Sequence, residues 1–309
     1  MILNTGCRTD IPAYYSEWFY NRIRAGYVLT RNPYRPEQAL KYRLDPEVVD
    51  ALYFCTKNPQ PMLSRLSELS AFRQFWFVTV TPYGKEIEPF VPEKQRVLES
   101  VRQLSAQIGA KAVGWRYDPV FITAKYSPEY HLRSFEKMAA ALSGYVSSCV
   151  VSFIDLYEKT KRNFPQARTV AFEEQKRLVQ AFAAIGRQYG IPLRTCCENA
   201  ALAQYGADVS GCMTREVLEA ALNCRLDVPK SKKSPRAQCD CLLGADIGMY
   251  NTCPHGCVYC YANYDRRTVA QNVRLHNPNS PFLIGGFRES NSIVEARQES
   301  YISRQVSMF

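Results

Sequence analysis

The sequence predicts an α/β protein, most simply a full or partial parallel (β/α) barrel of the TIM type. Apolar, β-branched segments of strand length alternate six or seven times with segments of helical periodicity. These strands lack polar alternation, which is typical of a parallel sheet covered by helices on both faces. The length of 309 residues suits one such barrel. An open doubly wound sheet is the alternative.

The first elements follow from capping and spacing. Residues 2–4 form a short apolar strand. Asp10 can cap a helix that has Pro12 in its first turn, and aromatic residues then recur at helical spacing until Gly26 ends it. We expect this aromatic stripe to pack on the sheet, although beside Arg22 and Arg24 it also resembles a base-stacking surface. The stripe consists of Tyr14, Tyr15, Trp18, Phe19 and Tyr20.

The remaining elements continue the alternation. Strands are predicted at 48–55, 75–81, 111–116, 148–154, 191–196 and 242–247, and the run FWFVTVT at 75–81 is the most strand-like. Helices are predicted at 92–108, 128–142, 171–189 and 215–222. The basic segment 230–236, KSKKSPR, indicates a surface loop whose cations could contact phosphates, namely Lys230, Lys232, Lys233 and Arg236. We divide the chain into a barrel core, 1–235, and a cysteine-rich segment of the same barrel, 236–309.

Composition limits the class of protein. Hydrophobic residues make up 46% and charged residues 22%, which excludes disorder for most of the chain. No apolar run approaches the roughly 18 residues of a membrane span. Arg8 and Asp10 stand where a signal peptide would need its apolar stretch. We therefore expect a cytoplasmic protein without a membrane partner. The net charge of +10 favours anionic partners.

Three of the twelve cysteines form the strongest motif, Cys253-Pro-His-Gly-Cys257-Val-Tyr-Cys260. Thiolates at this spacing can converge on one cuboidal iron–sulfur cluster. Because such a cluster has four iron corners, three cysteines leave one iron open, as in a catalytic rather than a closed metal site. The alternative is a structural zinc site that uses the same cysteines with His255 or an upstream cysteine.

The motif, with Tyr259 immediately before the third cysteine, resembles the radical S-adenosylmethionine superfamily. The resemblance implies that the open iron of a [4Fe-4S] cluster chelates S-adenosylmethionine, and that the aromatic residue packs near the adenine. It implies reductive cleavage to a 5′-deoxyadenosyl radical that abstracts hydrogen from a substrate. It also implies a low-potential electron donor, ferredoxin or flavodoxin, whose acidic surface would suit a basic protein.

The whole chain resembles a second family, the domain of unknown function 1848. This resemblance rests on RTDIP at 8–12, TKNP at 56–59, WRYDP at 115–119, DIG at 246–248 and YAN at 261–263. In the radical superfamily the cysteine motif follows the first barrel strand, whereas here it lies near the end of the chain. A circular permutation would explain this, with the strand at 242–247 lying beside the strand at 2–4.

A second set of cysteines could bind another cluster, a zinc ion or no metal, and its members are Cys196, Cys212, Cys239 and Cys241. Cys197 could substitute for Cys196. The other cysteines lie in apolar or helical contexts, and we expect them in the core: Cys7, Cys55, Cys149 and Cys224.

Polar residues directly after the predicted strands are the candidates for the active site, because parallel strands deliver their carboxyl ends to one mouth. The catalytic candidates are Arg8, Asp10, Lys57, Arg116 and Asp118, and the cofactor-binding candidates are Tyr259, Glu198 and Asn263. Two simpler roles remain open. In the first, Asp10 serves only as a helix cap, and in the second, Arg116 and Asp118 form only a structural ion pair.

The sequence thus predicts a radical S-adenosylmethionine-type enzyme whose substrate it does not reveal. The basic charge supports one variant of this prediction, a nucleic-acid repair or modifying enzyme analogous to spore photoproduct lyase. A non-catalytic iron–sulfur or zinc protein that binds nucleic acid or another partner is the alternative of a different class.

Overall fold

The computed structural model describes the chain except for residues 33–34, 231–233, 235–238, 243, 288–291 and 304–309. Its strands are β1 (Ile2–Asn4), β2 (Tyr27–Asn32), β3 (Arg35–Arg43), β4 (Ala51–Thr56), β5 (Gln74–Thr79), β6 (Val113–Val120), β7 (Cys149–Phe153), β8 (Leu193–Thr195), β9 (Ala245–Asp246) and β10 (Ser292–Glu295). Its α-helices are α1 (Ile11–Tyr14), α2 (Ser16–Ala25), α3 (Gln60–Leu63), α4 (Lys94–Ile108), α5 (Pro128–Leu142), α6 (Glu158–Asn163), α7 (Phe172–Gln188), α8 (Arg215–Leu222) and α9 (Arg266–Arg274). Within these described ranges, no helix is both long and apolar enough to cross a bilayer.

The main sheet is parallel throughout and has the order β9-β1-β4-β5-β6-β7-β8. From β1 to β8 its members follow one another in chain order. β9 returns from the far end of the chain to pair with β1, with Leu3 opposite Ala245 and Asn4 opposite Asp246. Among the residues that the structure covers, β8 and β9 remain edges and the sheet does not close. The α/β class is confirmed, whereas a closed barrel is not observed.

A second sheet was not predicted from the sequence. β2 and β3 form an antiparallel hairpin, and β10 pairs with β3 in parallel. All four residues of β10 are exposed, and the hairpin region carries two prolines and several arginines. Such a mixed, solvated pattern lacks the apolar alternation by which strands are recognised.

Most predicted elements are present, with changes at their ends. Helices α5 and α8 have the predicted bounds. The strand predicted at 242–247 is reduced to β9. The helix predicted between Asp10 and Gly26 is divided in two at Tyr15, whose φ of −131° is not helical. The Tyr15 hydroxyl donates to the carbonyl of Thr252 at 2.5 Å, so the break ties this helix pair to the cysteine loop.

The aromatic stripe of α2 packs in the core, as expected. Trp18, Phe19 and Tyr20 are fully buried. Trp18 donates its indole N–H to the carbonyl of Ser280 at 2.9 Å, and Phe19 meets Phe54 of β4 edge to face. These side chains are therefore unavailable for stacking on bases.

The cysteines expected in the core differ in exposure. Cys149 is fully buried, and Cys55 and Cys224 are partly buried. Cys7 is exposed, so its placement in the core was wrong. It lies in the bend after β1, where its backbone N–H donates to Asp246 at 3.1 Å. In the basic segment Lys230 is exposed, and the other predicted phosphate contacts, Lys232, Lys233 and Arg236, lie outside the described residues.

A buried histidine makes the fold sensitive to acid. His131 of α5 has its Nε2 at 2.9 Å from the carbonyl oxygen of Phe121, which can only accept. Its Nδ1 therefore accepts from the hydroxyl of Tyr117, also at 2.9 Å. Burial lowers the pKa of His131 to about 4, although the bond to Phe121 favours the charged form. The folded protein thus holds this imidazole neutral.

This arrangement predicts a loss of stability on acidification. The unfolded chain takes up a proton at His131 near pH 6.5, but the folded chain does so only near pH 4. Between pH 6.5 and about 4.5, we expect the free energy of unfolding to fall by about 2 kcal/mol more in the wild type than in His131→Gln. Urea denaturation at the two pH values measures this difference. Equal losses in the two proteins would show that His131 is not responsible.

Candidate functional site

The cysteine loop follows β9 at the edge of the sheet where the parallel strands end. The loop packs against the segment after β5: the N–H of Phe90 donates to the carbonyl of His255 at 3.2 Å, and that of Val258 to Ile87 at 3.1 Å. Gly256 takes a left-handed φ of 70°, and a Cβ there would lie 3.1 Å from the Phe90 ring. A glycine at this position is what lets the loop turn between its first two cysteines.

Asp10 joins three parts of the chain at this edge. Its Oδ1 accepts from Ala13 N at 3.1 Å, which caps α1 as predicted, and from the Thr56 hydroxyl at 2.6 Å. Its Oδ2 accepts from the backbone N–H of Lys57 at 2.8 Å and lies 2.8 Å from His255 Nε2. The carboxylate is only 7% exposed. Asp10 is therefore a helix cap and also the link between the end of β4 and the cysteine loop.

His255 has no free ring nitrogen. Because the Asp10 carboxylate accepts, His255 Nε2 donates to it, and Nδ1 is hydrogen-bonded to the hydroxyl of Tyr14 at 3.0 Å. The ring is buried. The zinc alternative that used His255 as a ligand therefore lacks that ligand in this arrangement.

A charged network lies beside the loop, centred on Glu88. Its Oε1 accepts from Lys57 Nζ at 2.8 Å and from the Thr81 hydroxyl at 2.7 Å. It also accepts from the hydroxyl of Tyr259, and Oε2 pairs with Lys94. The Glu88 side chain is 1% exposed, so two lysines and two hydroxyls satisfy a carboxylate that water does not reach.

The charges in this network support one another. Burial opposes ionisation of Glu88, but Lys57 and Lys94 outweigh it and lower the pKa of Glu88 to about 2. Burial likewise opposes the charge on Lys57, yet Glu88 and Cys257 raise its pKa above the usual value. The Lys57 ammonium also lies 5.6 Å from the centre of the Tyr259 ring. A fixed cation therefore stands close to the thiol of Cys257.

The three thiols of the loop are close enough to affect each other. Burial raises the pKa of Cys253, and Asp10 and the other two thiols raise it further. Burial also raises the pKa of Cys257 to about 12, which Lys57 opposes. Asn263 closes the loop by donating from Nδ2 to the carbonyl of Cys253 at 2.8 Å, while its buried Oδ1 has no hydrogen-bond partner among the described residues.

The other candidates after strand ends form a second group. Arg116 pairs with Asp118 at 2.6 Å, so the simpler role predicted for them is present. Arg116 also donates to the thiol of Cys212 at 3.6 Å. Glu198 accepts from the N–H of Phe153 at 2.7 Å, and burial, with help from two aspartates, raises its pKa to about 8.

Arg8 lies apart from the Asp10 junction, although the two residues are close in the sequence. It forms an ion pair with Asp246 of β9 at 3.4 Å and donates to the carbonyl of the same residue. Its guanidinium lies 5.9 Å from the centre of the Tyr250 ring. Arg8 thus joins the β1 and β9 ends and faces a surface of tyrosines rather than the Asp10 junction.

The second set of cysteines comes together after β8. The thiol of Cys212 lies 3.6 Å from those of Cys196 and Cys241, and the N–H of Met213 donates to Cys241 at 3.2 Å. Burial raises the pKa of Cys239, and the hydrogen bond that its thiol donates to Cys241 raises it further. Hydrogen bonds with the neighbouring Cys197 and with Cys212 of the set lower the pKa of Cys196.

Neither set of cysteines, as the structure describes them, has its side chains arranged to bind a single metal ion. Within the described residues, no group of three or more His, Cys, Asp or Glu side chains is arranged to hold one metal ion. A cuboidal cluster makes a different demand, since each thiolate binds a different iron and the thiolates stand further apart.

Sequence reasoning missed Glu88 and Lys94. Glu88 lies in the loop at 82–92, which contains no recognisable motif, and its partners are 6 to 171 residues away in the chain. The one available signal was Lys57, whose position after a buried strand requires a buried anion. The sequence does not reveal which carboxylate supplies it.

Comparison with models of protein families identifies the family to which the chain belongs. Residues 2–262 match the family described as domain of unknown function (DUF1848), and the chain belongs to that family. The match includes β1, the Asp10 junction, the Glu88 network and the cysteine loop. A search of curated proteins found no match to the chain.

The Glu88 network yields a test of its structural role. Glu88→Gln keeps the shape of the side chain but leaves Lys57 and Lys94 without their counter-charge. Because removing one partner of a buried pair leaves a charge uncompensated, we expect the free energy of unfolding to fall by about 3 kcal/mol. Urea denaturation at neutral pH measures the change.

Glu86→Gln is the matched control, since Glu86 lies in the same loop as Glu88 but pairs with the exposed Lys125 that follows β6. We expect it to change stability little. If the two variants lose the same stability, Glu88 is not the central group of a buried network.

Proposed function

We propose that this protein is a radical S-adenosylmethionine-type iron–sulfur enzyme built on a partial, circularly permuted (β/α) barrel. The observation that carries the proposal is the parallel pairing of β9 with β1. It brings the strand that precedes the cysteine loop beside the first strand, which is the neighbour relation a permutation predicts. The residue before β1 also contacts a late segment of the chain, since Met1 N lies 2.6 Å from the carbonyl oxygen of Glu299.

The residues of the loop fit a cluster with one open iron. Cys253, Cys257 and Cys260 supply three thiolates, the donor type that iron–sulfur clusters use. His255, the remaining metal-binding side chain of the loop, is engaged by Asp10 and Tyr14. When bound and reduced, such a cluster supplies one electron for cleavage of S-adenosylmethionine into methionine and a 5′-deoxyadenosyl radical.

The surrounding side chains have defined tasks in this proposal. Asp10 positions the loop against β4 through His255. Lys57 places a positive charge beside the thiolates, which stabilises their ionised, metal-binding form. Tyr259 is fixed by Glu88 and by edge contact with Tyr83, with ring centres 6.0 Å apart, so its ring can pack against an adenine in a defined position.

Electrons must come from a partner in this proposal. A low-potential ferredoxin or flavodoxin would supply them, and such donors are acidic. The net charge of +10 supports their docking by complementary charge.

We also propose a second thiolate metal centre at the set Cys196, Cys212, Cys239 and Cys241. Four thiols are the ligand number of a closed thiolate site, and Cys212 lies 3.6 Å from both Cys196 and Cys241. Arg116 adds a positive charge beside Cys212. Iron and zinc share this ligand chemistry, and metal analysis distinguishes them.

The first test compares a cysteine of the loop with a cysteine that belongs to neither set. We expect Cys257→Ala to abolish formation of 5′-deoxyadenosine from S-adenosylmethionine under dithionite and to lower bound iron, because the cluster loses a ligand. Cys224→Ala, a partly buried cysteine that belongs to neither set, should retain both. Chromatographic product analysis and iron determination on anaerobically prepared protein provide the measurements. Colourless wild-type protein with stoichiometric zinc would overturn the assignment.

The second centre is tested by metal content. Cys241→Ala should lose one part of the bound metal while Cys257→Ala loses another, and mass spectrometry of the metals identifies which element each variant lacks. Loss of the same metal to the same extent in both variants, with folding intact by circular dichroism, would contradict two separate centres. Full metal content in Cys241→Ala would eliminate the second centre alone.

A further inference from the structure

An open pocket of about 700 Å³ lies at the same sheet edge as the cysteine loop. Four tyrosines line it, Tyr157, Tyr250, Tyr261 and Tyr264, and each is between 42% and 51% exposed. Large aromatic side chains with this much exposure are uncommon on one patch of a monomer and mark an interaction surface.

Cations are set among these rings. The Lys159 ammonium lies 3.9 Å from the centre of the Tyr264 ring and 5.6 Å from that of Tyr250. The Arg162 guanidinium lies 6.0 Å from Tyr264 and also donates to its carbonyl. The guanidinium of Arg8, which follows β1, lies 5.9 Å from the centre of the Tyr250 ring. The pocket therefore combines aromatic faces with positive charge.

The residues that line the pocket carry more positive than negative charge, with Lys159 and Arg162 against Glu158. Asp155 lies beside them and accepts from the Tyr157 hydroxyl at 3.2 Å. Glu158 itself pairs with a lysine of its own helix at 2.8 Å. The short helix α6 thus carries three basic side chains against one acidic one. This agrees in sign with the net charge of the whole chain.

We infer that this pocket binds single-stranded nucleic acid. Bases stack on exposed tyrosines without regard to sequence, while lysine and arginine contact the phosphates. A folded duplex keeps its bases stacked on each other and offers the rings nothing to bind. The inference rests on the proposed function and names its substrate class.

The pocket lies directly beside the cysteine loop. Tyr261 directly follows Cys260, and Lys159 donates to the carbonyl of Tyr261 at 3.2 Å. The Tyr261 hydroxyl donates in turn to the carbonyl of Cys7 at 2.5 Å. A base held on these tyrosines therefore lies next to the loop that we propose to hold the cluster.

Fluorescence anisotropy with labelled oligothymidylate and oligouridylate tests the inference, using the full chain purified anaerobically without reductant or S-adenosylmethionine. We expect both probes to bind, with weaker binding as salt increases. Tyr264→Ala should weaken affinity about tenfold through loss of one stacking partner, while Tyr264→Phe keeps most of it. Lys159→Gln should weaken binding of both probes and reduce the salt slope by about one.

Tyr145→Ala is the matched control, because Tyr145 is 38% exposed and lies 5.7 Å from the Arg102 guanidinium, away from the pocket. Absence of binding, or equal affinity of the Tyr145 and Tyr264 alanine variants, would overturn the inference. The inference would also be overturned if a free mononucleotide competed with the labelled probe as strongly as an unlabelled oligomer does. A preference for duplex over single strands, or binding of an acidic ferredoxin but of neither probe, would contradict it as well. Since the assay involves no radical chemistry, its result is independent of whether 5′-deoxyadenosine forms.

Discussion

The candidate site depends on one carboxylate. Asp10 accepts four hydrogen bonds, from the first turn of α1, from the hydroxyl and the backbone at the end of β4, and from His255, which is 245 residues away in the chain. Hydrogen bonds to a charged group contribute about 1.5–3 kcal/mol each. This junction holds the cysteine loop at the sheet edge together with β9, a strand of two residues, the backbone contacts with Phe90 and Ile87, and the bond from Tyr259 to Glu88.

The second constraint is electrical. In the cluster site that we propose, three thiolates would accumulate negative charge, and a buried cation beside them would offset it. Lys57 supplies that charge, and Glu88 keeps Lys57 ionised and in place. Because Glu88 also accepts from Tyr259, the same carboxylate fixes the aromatic ring beside the third cysteine. The position of the loop and the charge beside it thus depend on two buried acids, Asp10 and Glu88.

Much of this could be predicted from the sequence, and the reasons for the rest are physical. The main sheet is built from apolar strands, whose pattern is local, so its strands and several helix ends were found. The pairing of β9 with β1 followed from the position of the cysteine motif. The hairpin of β2 and β3 has no such pattern, because the apolar cluster that it forms around Leu29 and Ala39 is small. Glu88 was missed because a buried ion pair is defined by its partner in space, and the acid precedes Tyr259 by 171 residues.

The central claim is that the cysteine loop holds a cluster with one open iron. Electron paramagnetic resonance of the dithionite-reduced protein, recorded with and without S-adenosylmethionine, tests it most directly. The account predicts a cluster signal whose g values shift when S-adenosylmethionine is added, because its amino and carboxylate groups then complete the coordination of the open iron. An unchanged signal would contradict the claim, since it would show a closed cluster to which S-adenosylmethionine does not bind.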